Sequence, residues 1–174
     1  MNIKTKKEKG IQIVPLDECG QYAAICAHWS YGQWFAQRDI SFDINLLTYK
    51  ERAASKALPR VFVICVDSFP VGMVSIKEND MRSRSDLSPW LSALYIMPEY
   101  RNRGLGERLI EHAREHIRQL GAAAIHLFID VLNETNLAAY YEKLGWVFVG
   151  ESLDNDGFNA KIYRFDLRDE RDDL

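Results

Sequence analysis

Apolar and polar residues change their spacing along this chain in a way that marks out its elements. Ile11 to Leu16 reads as a short strand, and Asp17 stands where an N-cap would open a helix reaching about His28. Leu46, Leu47, Lys50, Ala53, Ala54 and Ala57 fall at helical spacing in a second helix from Asp43 to about Ala57. Its apolar face is small, and Pro59 ends it. Arg60 to Asp67 is dense in Val, Ile and Phe. A turn at Asp67-Ser68-Phe69-Pro70 follows, and Val71 to Lys77 returns as the second strand of a hairpin. The polar stretch Glu78 to Leu87 predicts a loop before a strand at about Trp90 to Met97. A helix over 104–120 buries Leu105, Leu109, Ile110, Ala113, Ile117 and Leu120, with Gly121 as its C-terminal cap. The pattern then predicts a strand over 123–131, a helix from about Thr135 to Leu144, a strand from Trp146 to Glu151, a turn at Asp154-Asn155-Asp156-Gly157, and a last strand from Asn159 to Asp166. This alternation describes one α/β domain over 11–167 on a mixed, largely antiparallel sheet. Residues 1–10 form a flexible arm and 168–174 a charged tail.

The most telling junction is Leu94-Tyr95-Ile96-Met97-Pro98-Glu99-Tyr100-Arg101-Asn102-Arg103-Gly104-Leu105-Gly106-Glu107, where an apolar strand passes through arginines and two glycines into a helix. Glycines at 104 and 106 carry no Cβ to hold an anion off the backbone. Unpaired amide N–H groups at the positive end of the helix can therefore converge on a phosphorylated ligand. A dinucleotide fingerprint would place a third Gly or Ala where Leu109 stands, and a P-loop would need Gly-Lys-Ser/Thr after the spacer. What remains is Arg101-x-x-Gly104-x-Gly106 between a strand and a helix.

That loop resembles the coenzyme A loop of the GNAT superfamily of N-acetyltransferases. A second block, Tyr140-Tyr141-Glu142-Lys143-Leu144-Gly145-Trp146, resembles the family's Tyr-Glu-Lys-Leu-Gly-aromatic run at the expected distance. A third, Ser88-Pro89-Trp90-Leu91-Ser92-Ala93-Leu94-Tyr95-Ile96, is similar to an uncharacterised subgroup in which Pro-Trp-Leu opens the central strand. The resemblance covers roughly residues 60 to 167. It implies an α/β (α+β) fold with a mixed, mostly antiparallel central sheet flanked by helices and parallel strands splayed at the coenzyme site. It implies acetyl-CoA as co-substrate, no metal, and direct transfer to an amine-bearing acceptor, small molecule or peptide. The backbone of Leu94, Tyr95 and Ile96 would then bind pantetheine, and Arg101, Asn102, Arg103, Gly104, Leu105, Gly106 and Glu107 the diphosphate.

By the same resemblance Tyr141 is the acid that protonates the departing thiolate, a task a phenol suits because it holds its proton at neutral pH. Without the resemblance it is equally a core aromatic, as Tyr140 is expected to be. The family's coenzyme-contacting asparagine falls here at Glu134, so Asn133 or Asn136 would have to fill that role, and Asn133 reads equally well as a helix cap. Glu78, Asp86 and Asp130 are candidates for the base that removes the amine's proton, Glu78 foremost, although each also reads as a solvated carboxylate. Trp29, Tyr31, Trp34 and Phe35 either wall the acceptor site or close the core. Two other readings stand beside this one. The scaffold can serve as a non-catalytic acetyl-CoA-binding or protein-interaction module. His112-Ala113-Arg114-Glu115-His116 also fits the H-x-x-E-H pattern of zinc peptidases.

Composition narrows the partners. At 174 residues the chain suits a single domain, and a formal charge of −3 argues against nucleic acid. Three cysteines, Cys19, Cys26 and Cys65, in mostly apolar surroundings suit reduced core thiols. No run approaches the roughly 18 apolar residues of a membrane span, and the N-terminus has no apolar core of a leader. The expectation is a cytoplasmic transferase, with a homodimer left open.

Overall fold

The computed structural model describes residues 10–36, 38, 40–130 and 134–168. Residues 1–9 of the predicted arm over 1–10, residues 169–174 of the predicted tail over 168–174, and Asn133 lie outside the described residues. Seven strands form one sheet in the order β1-β2-β3-β4-β5-β7-β6. They are β1 (Ile11–Pro15), β2 (Arg60–Val66), β3 (Phe69–Lys77), β4 (Trp90–Ile96), β5 (Ala124–Asp130), β6 (Val147–Leu153) and β7 (Asn159–Asp166). Every neighbouring pair is antiparallel except β4 and β5.

Strands β2 and β3 are buried on both faces, which is why they read as continuous apolar runs. Phe62 and Ile64 of β2 join a core with Leu105, Leu109, Ile110, Ala113 and Ile117 of α3 (Leu105–Gln119). The alternate residues Val61, Val63 and Cys65 join Cys26 and Ala27 of α1 (Ala23–Ser30) and Tyr49 of α2 (Phe42–Ala53). The strand's period of two thus feeds two layers of helix. Helix α4 (Glu134–Lys143) closes the α3 side, where Tyr141 packs edge-on against Trp146.

Several boundaries differ from the pattern, each for a local reason. Asp17 caps no helix: its carboxylate accepts from Arg60 Nε at 3.1 Å, so 3-10 turns fill 16–18 and 20–22 and α1 begins at Ala23. Ser41 opens α2, its Oγ accepting the Ile44 N–H at 3.3 Å. The helix stops at Ala53, short of Ala57, where Ser55 Oγ takes the Ala57 N–H and competes with the helical ladder. The hairpin turn is only Asp67-Ser68, both at positive φ, so Phe69 and Pro70 belong to β3. Leu120 is 61% exposed at the cap of α3, and Gly121 at φ 83° donates back to Arg118, as its place after the last apolar residue predicts. All three cysteines are buried and unpaired. Among the described residues no helix is long and apolar enough to cross a membrane.

Candidate active site

Parallel strands β4 and β5 touch at one register pair only, Trp90 with His126, and then separate. The opening has a cause in β4. Between Ser92 and Tyr95 that strand carries an extra residue relative to β3, and Ala93 sits at φ 50°, so a bulge turns the strand away from β5. Backbone polar groups of β4 are thereby left facing a space instead of a ladder. Two cavities of about 420 and 430 Å³ meet at this opening. Trp34, Leu94 and Leu137 line both.

The second cavity runs along the end of β4 to the glycine loop. Asn102 at φ 58° and Gly104 at φ 73° turn the chain so that the backbone N–H groups from Asn102 to Glu107 find no acceptor among the described residues. They lie at the N-terminus of α3, an arrangement that can receive an anion. At Gly106 a Cβ would lie 2.9 Å from the Tyr140 hydroxyl, so only glycine lets that ring stand over the loop. Of the residues assigned to the coenzyme, Leu94, Tyr95, Ile96, Arg101, Asn102, Gly104, Leu105, Gly106 and Glu107 line this cavity. Arg103 does not. Its guanidinium folds back over Tyr100 and donates to the Glu99 carbonyl at 3.0 Å. Arg101 likewise donates to the Ile96 carbonyl at 2.9 Å while remaining in the lining. Asn136 is exposed on α4 and outside both linings.

Tyr141 lines the first cavity, and burial pushes its phenol well above the ordinary range. Tyr140, expected in the core, is half-buried in the second cavity instead, and burial followed by the Glu107 charge pushes it up to about 12. Glu78 is exposed and outside both linings, and Asp86 is exposed and held by Arg84 through two 2.9 Å bonds. Asp130 does line the first cavity. So does Asp80, which the sequence reading passed over, its carboxylate 2.5 Å from Lys77 Nζ. Also passed over were Asn45 and Tyr49, which α2 buries on its cavity side where the pattern put Leu47, in fact 58% exposed. Their signal was there: a helix with so small an apolar face can turn polar residues inward only where something needs them. Trp34 and Phe35, from the π-helical turn Tyr31–Phe35 after α1, wall the first cavity, while Trp29 is buried against Tyr95.

The two histidines of the H-x-x-E-H pattern serve packing. His112 and His116 set their rings edge-on to Phe62 at 4.6 and 5.1 Å, and Glu115 pairs with Arg118 and accepts from Gln119.

A seven-stranded mixed sheet opened between two parallel strands, with a strand-loop-helix amide cradle beside the opening, agrees with what comparison of the chain finds. The sequence profile of the acetyltransferase (GNAT) family matches residues 24–146. The chain belongs to that family. The chain is 40% identical over 68 residues to mycothiol acetyltransferases of two strains of Corynebacterium glutamicum, a match that takes in 37% of this chain and 23% of theirs. Its fold is that of a GNAT-family structure from Desulfovibrio desulfuricans, with 14% identity, a TM-score of 0.72, and 91% of this chain and 100% of that one covered. An aminoglycoside 6'-N-acetyltransferase complexed with coenzyme A gives 13%, 0.71, 91% and 98%. The yncA protein of Salmonella typhimurium with acetyl-CoA gives 16%, 0.62, 92% and 94%. The last two of these structures hold the coenzyme in the same fold.

Proposed function

We propose that the chain transfers the acetyl group of acetyl-CoA to a primary amine by direct attack in a ternary complex. The observation that carries this reading is the single opening between β4 and β5, at which two cavities meet and from which one runs to the unpartnered amides of residues 102–107. Those amides, with Gly104 and Gly106, suit a diphosphate, and the free edge of β4 at Leu94 to Ile96 suits an amide-bearing arm laid in as an added strand. Acetyl-CoA would supply an activated thioester carbonyl beside Leu94.

Within the chain, a β4 backbone N–H donates to the carbonyl oxygen as it gains charge. Tyr141, protonated at neutral pH because burial raises its pKa, gives its proton to the leaving sulfur. Asp80, held at the cavity wall by Lys77, takes the proton from the acceptor's ammonium group directly or through water, a role that exposed Glu78 is not placed to fill. Leu137 and Trp34 keep bulk water from the junction.

Calorimetric titration with acetyl-CoA and with CoA, beside a thiol-release assay on a panel of amines and peptides, tests this. Micromolar binding, about −8 kcal/mol, and acceptor-dependent release are expected. Absence of binding to folded protein overturns the reading. Tyr141→Phe is expected to lower turnover by about 10²-fold or more with acetyl-CoA affinity nearly intact, and unchanged turnover would remove Tyr141 from the acid's role.

A further inference from the structure

Gly72 stands inside β3 with no positive φ, so its own backbone does not call for glycine. Its neighbour across the ladder does. A Cβ at Gly72 would lie 2.5 Å from the Tyr95 carbonyl oxygen, 2.6 Å from Ile96 Cδ1 and 3.2 Å from Ile64 Cγ2. The Ile96 methyl ends a side chain that can turn aside. The Tyr95 oxygen belongs to the backbone of β4 and moves only with the strand.

That carbonyl lies against β3 in the stretch of β4 that lines the second cavity. The backbone that follows agrees with its direction. The Met97 N–H donates to the Val71 carbonyl at 2.8 Å, toward β3. Trans peptide geometry then turns the Ile96 carbonyl to the opposite side, where Arg101 Nε donates to it at 2.9 Å. In an extended strand the N–H and C=O of one residue point the same way, so the Ile96 N–H also faces the opening left by β5. The strand is held in this setting between the bulge at Ala93 and the Met97 bond, with Gly72 opposite Ile96.

We propose that Gly72 is a positioning residue for the coenzyme: having no side chain, it lets the Tyr95 carbonyl lie against β3 and so aims the Ile96 N–H across the opening at an amide carbonyl of the pantetheine arm. The proposal rests on the reading of this cleft as the acetyl-CoA site. Alanine at 72 pushes the Tyr95–Ile96 peptide off β3, and rotation of that peptide turns the Ile96 N–H out of line. The amides of residues 102–107 lie beyond the Met97 bond and stay in place.

Calorimetric titration with CoA and with ADP, which carries the diphosphate without the pantetheine arm, tests this in the unaltered protein, Gly72→Ala and Val61→Ala. Val61 is fully buried in β2, two strands from β4, so its truncation lowers stability at a distance from Tyr95. Gly72→Ala is expected to bind CoA about 3- to 10-fold more weakly, the loss of one hydrogen bond, and ADP within about twofold of the unaltered protein. Val61→Ala should keep both affinities at a lowered urea midpoint. Adding Ile96→Ala to Gly72→Ala clears the side chain and leaves the carbonyl as the obstacle, so the loss should persist when measured against Ile96→Ala alone. CoA affinity retained in Gly72→Ala, a parallel loss of ADP, an equal loss in Val61→Ala, or recovery in the double variant overturns the proposal while leaving the transferase reading intact. If the unaltered protein binds no CoA, the transferase reading falls first and this one with it. Hydrogen exchange in the unaltered protein needs no variant to fold. The Ile96 amide should exchange freely in the free protein and slow at least about tenfold with CoA bound, while the Met97 amide is slow in both. An Ile96 amide already slow in the free protein, or not slowed by CoA, overturns the proposal.

Discussion

Gly106 and Gly104 stand two residues apart in one loop yet are needed for different reasons, and substitution separates them. At Gly104 the backbone is left-handed, φ 73°, and alanine there strains the chain by about 1–2 kcal/mol. At Gly106 the backbone accommodates a side chain, and the obstacle is the Tyr140 hydroxyl 2.9 Å from the added Cβ. That hydroxyl is the far end of a side chain that can swing aside, so Gly106→Ala is expected to leave the urea midpoint nearly unchanged. The same Cβ stands in the cradle, and acetyl-CoA should bind about tenfold more weakly, near 1.4 kcal/mol, by calorimetry. A lowered midpoint with unaltered affinity would show the glycine to be structural. Both glycines were legible in the sequence because spacing alone exposes them. Tyr140 over the loop, and Asn45 turned inward, were not, because each depends on a partner far away along the chain.

At the scale of elements, α3 was legible from its stripe, and the stripe's energetics follow. Leu109 is fully buried between helix and sheet, and Leu109→Ala should cost about 2–5 kcal/mol in denaturant unfolding. The helix also carries a pH dependence. Burial first, and Arg60 second, lower the pKa of His112, and the same two causes lead for His116, where His112 lowers it further and Asp17 opposes. Depressed folded-state values mean that the unfolded chain binds more protons near pH 6.5 and below, so stability rises with pH there. It is fully present above about 6.5 and is lost as pH falls through the folded-state values. Unfolding free energy measured from pH 7.5 to 5 should fall, and His112→Gln/His116→Gln should flatten that slope. An unaltered slope would assign the dependence elsewhere, buried His126 foremost, since burial lowers it too. Helix α2 was harder to read than α3 because its inward face serves a cavity instead of a core, and periodicity cannot tell a helix with polar residues turned inward from a poorly amphipathic one.

Across the whole molecule, the first cavity, proposed above for the acceptor, is closed by segments that the chain brings together over long separations. Asn155, in the turn between β6 and β7, accepts the Arg82 N–H through Oδ1 and donates through Nδ2 to the Asp80 carbonyl, both at 2.9 Å. Beside it Ser83 Oγ lies 2.8 Å from Ser152 Oγ and donates to the Leu153 carbonyl at 2.6 Å. The polar loop expected between β3 and β4 is thus pinned to the far end of the sheet, and with it Asp80, whose carboxylate stands in the cavity wall. None of these contacts touches the glycine loop. Asn155→Ala removes both bonds at once and leaves a backbone N–H and a carbonyl with water as their only alternative, a loss of about 1–2 kcal/mol at this exposed position. Because the wall and Asp80 would then be loosely held, KM for the acceptor should rise severalfold and turnover should fall, since small misplacements of a catalytic group are costly. Acetyl-CoA affinity should stay as it was, because the second cavity is lined by β4, the glycine loop, the start of α3, Tyr140, Leu137, Gln33 and Trp34, and by no residue of the pinned loop. Parallel titrations of coenzyme and acceptor check this: a variant that weakened both would mean that the two cavities are mechanically one, with the pinned loop holding the opening between β4 and β5 as well as its acceptor wall.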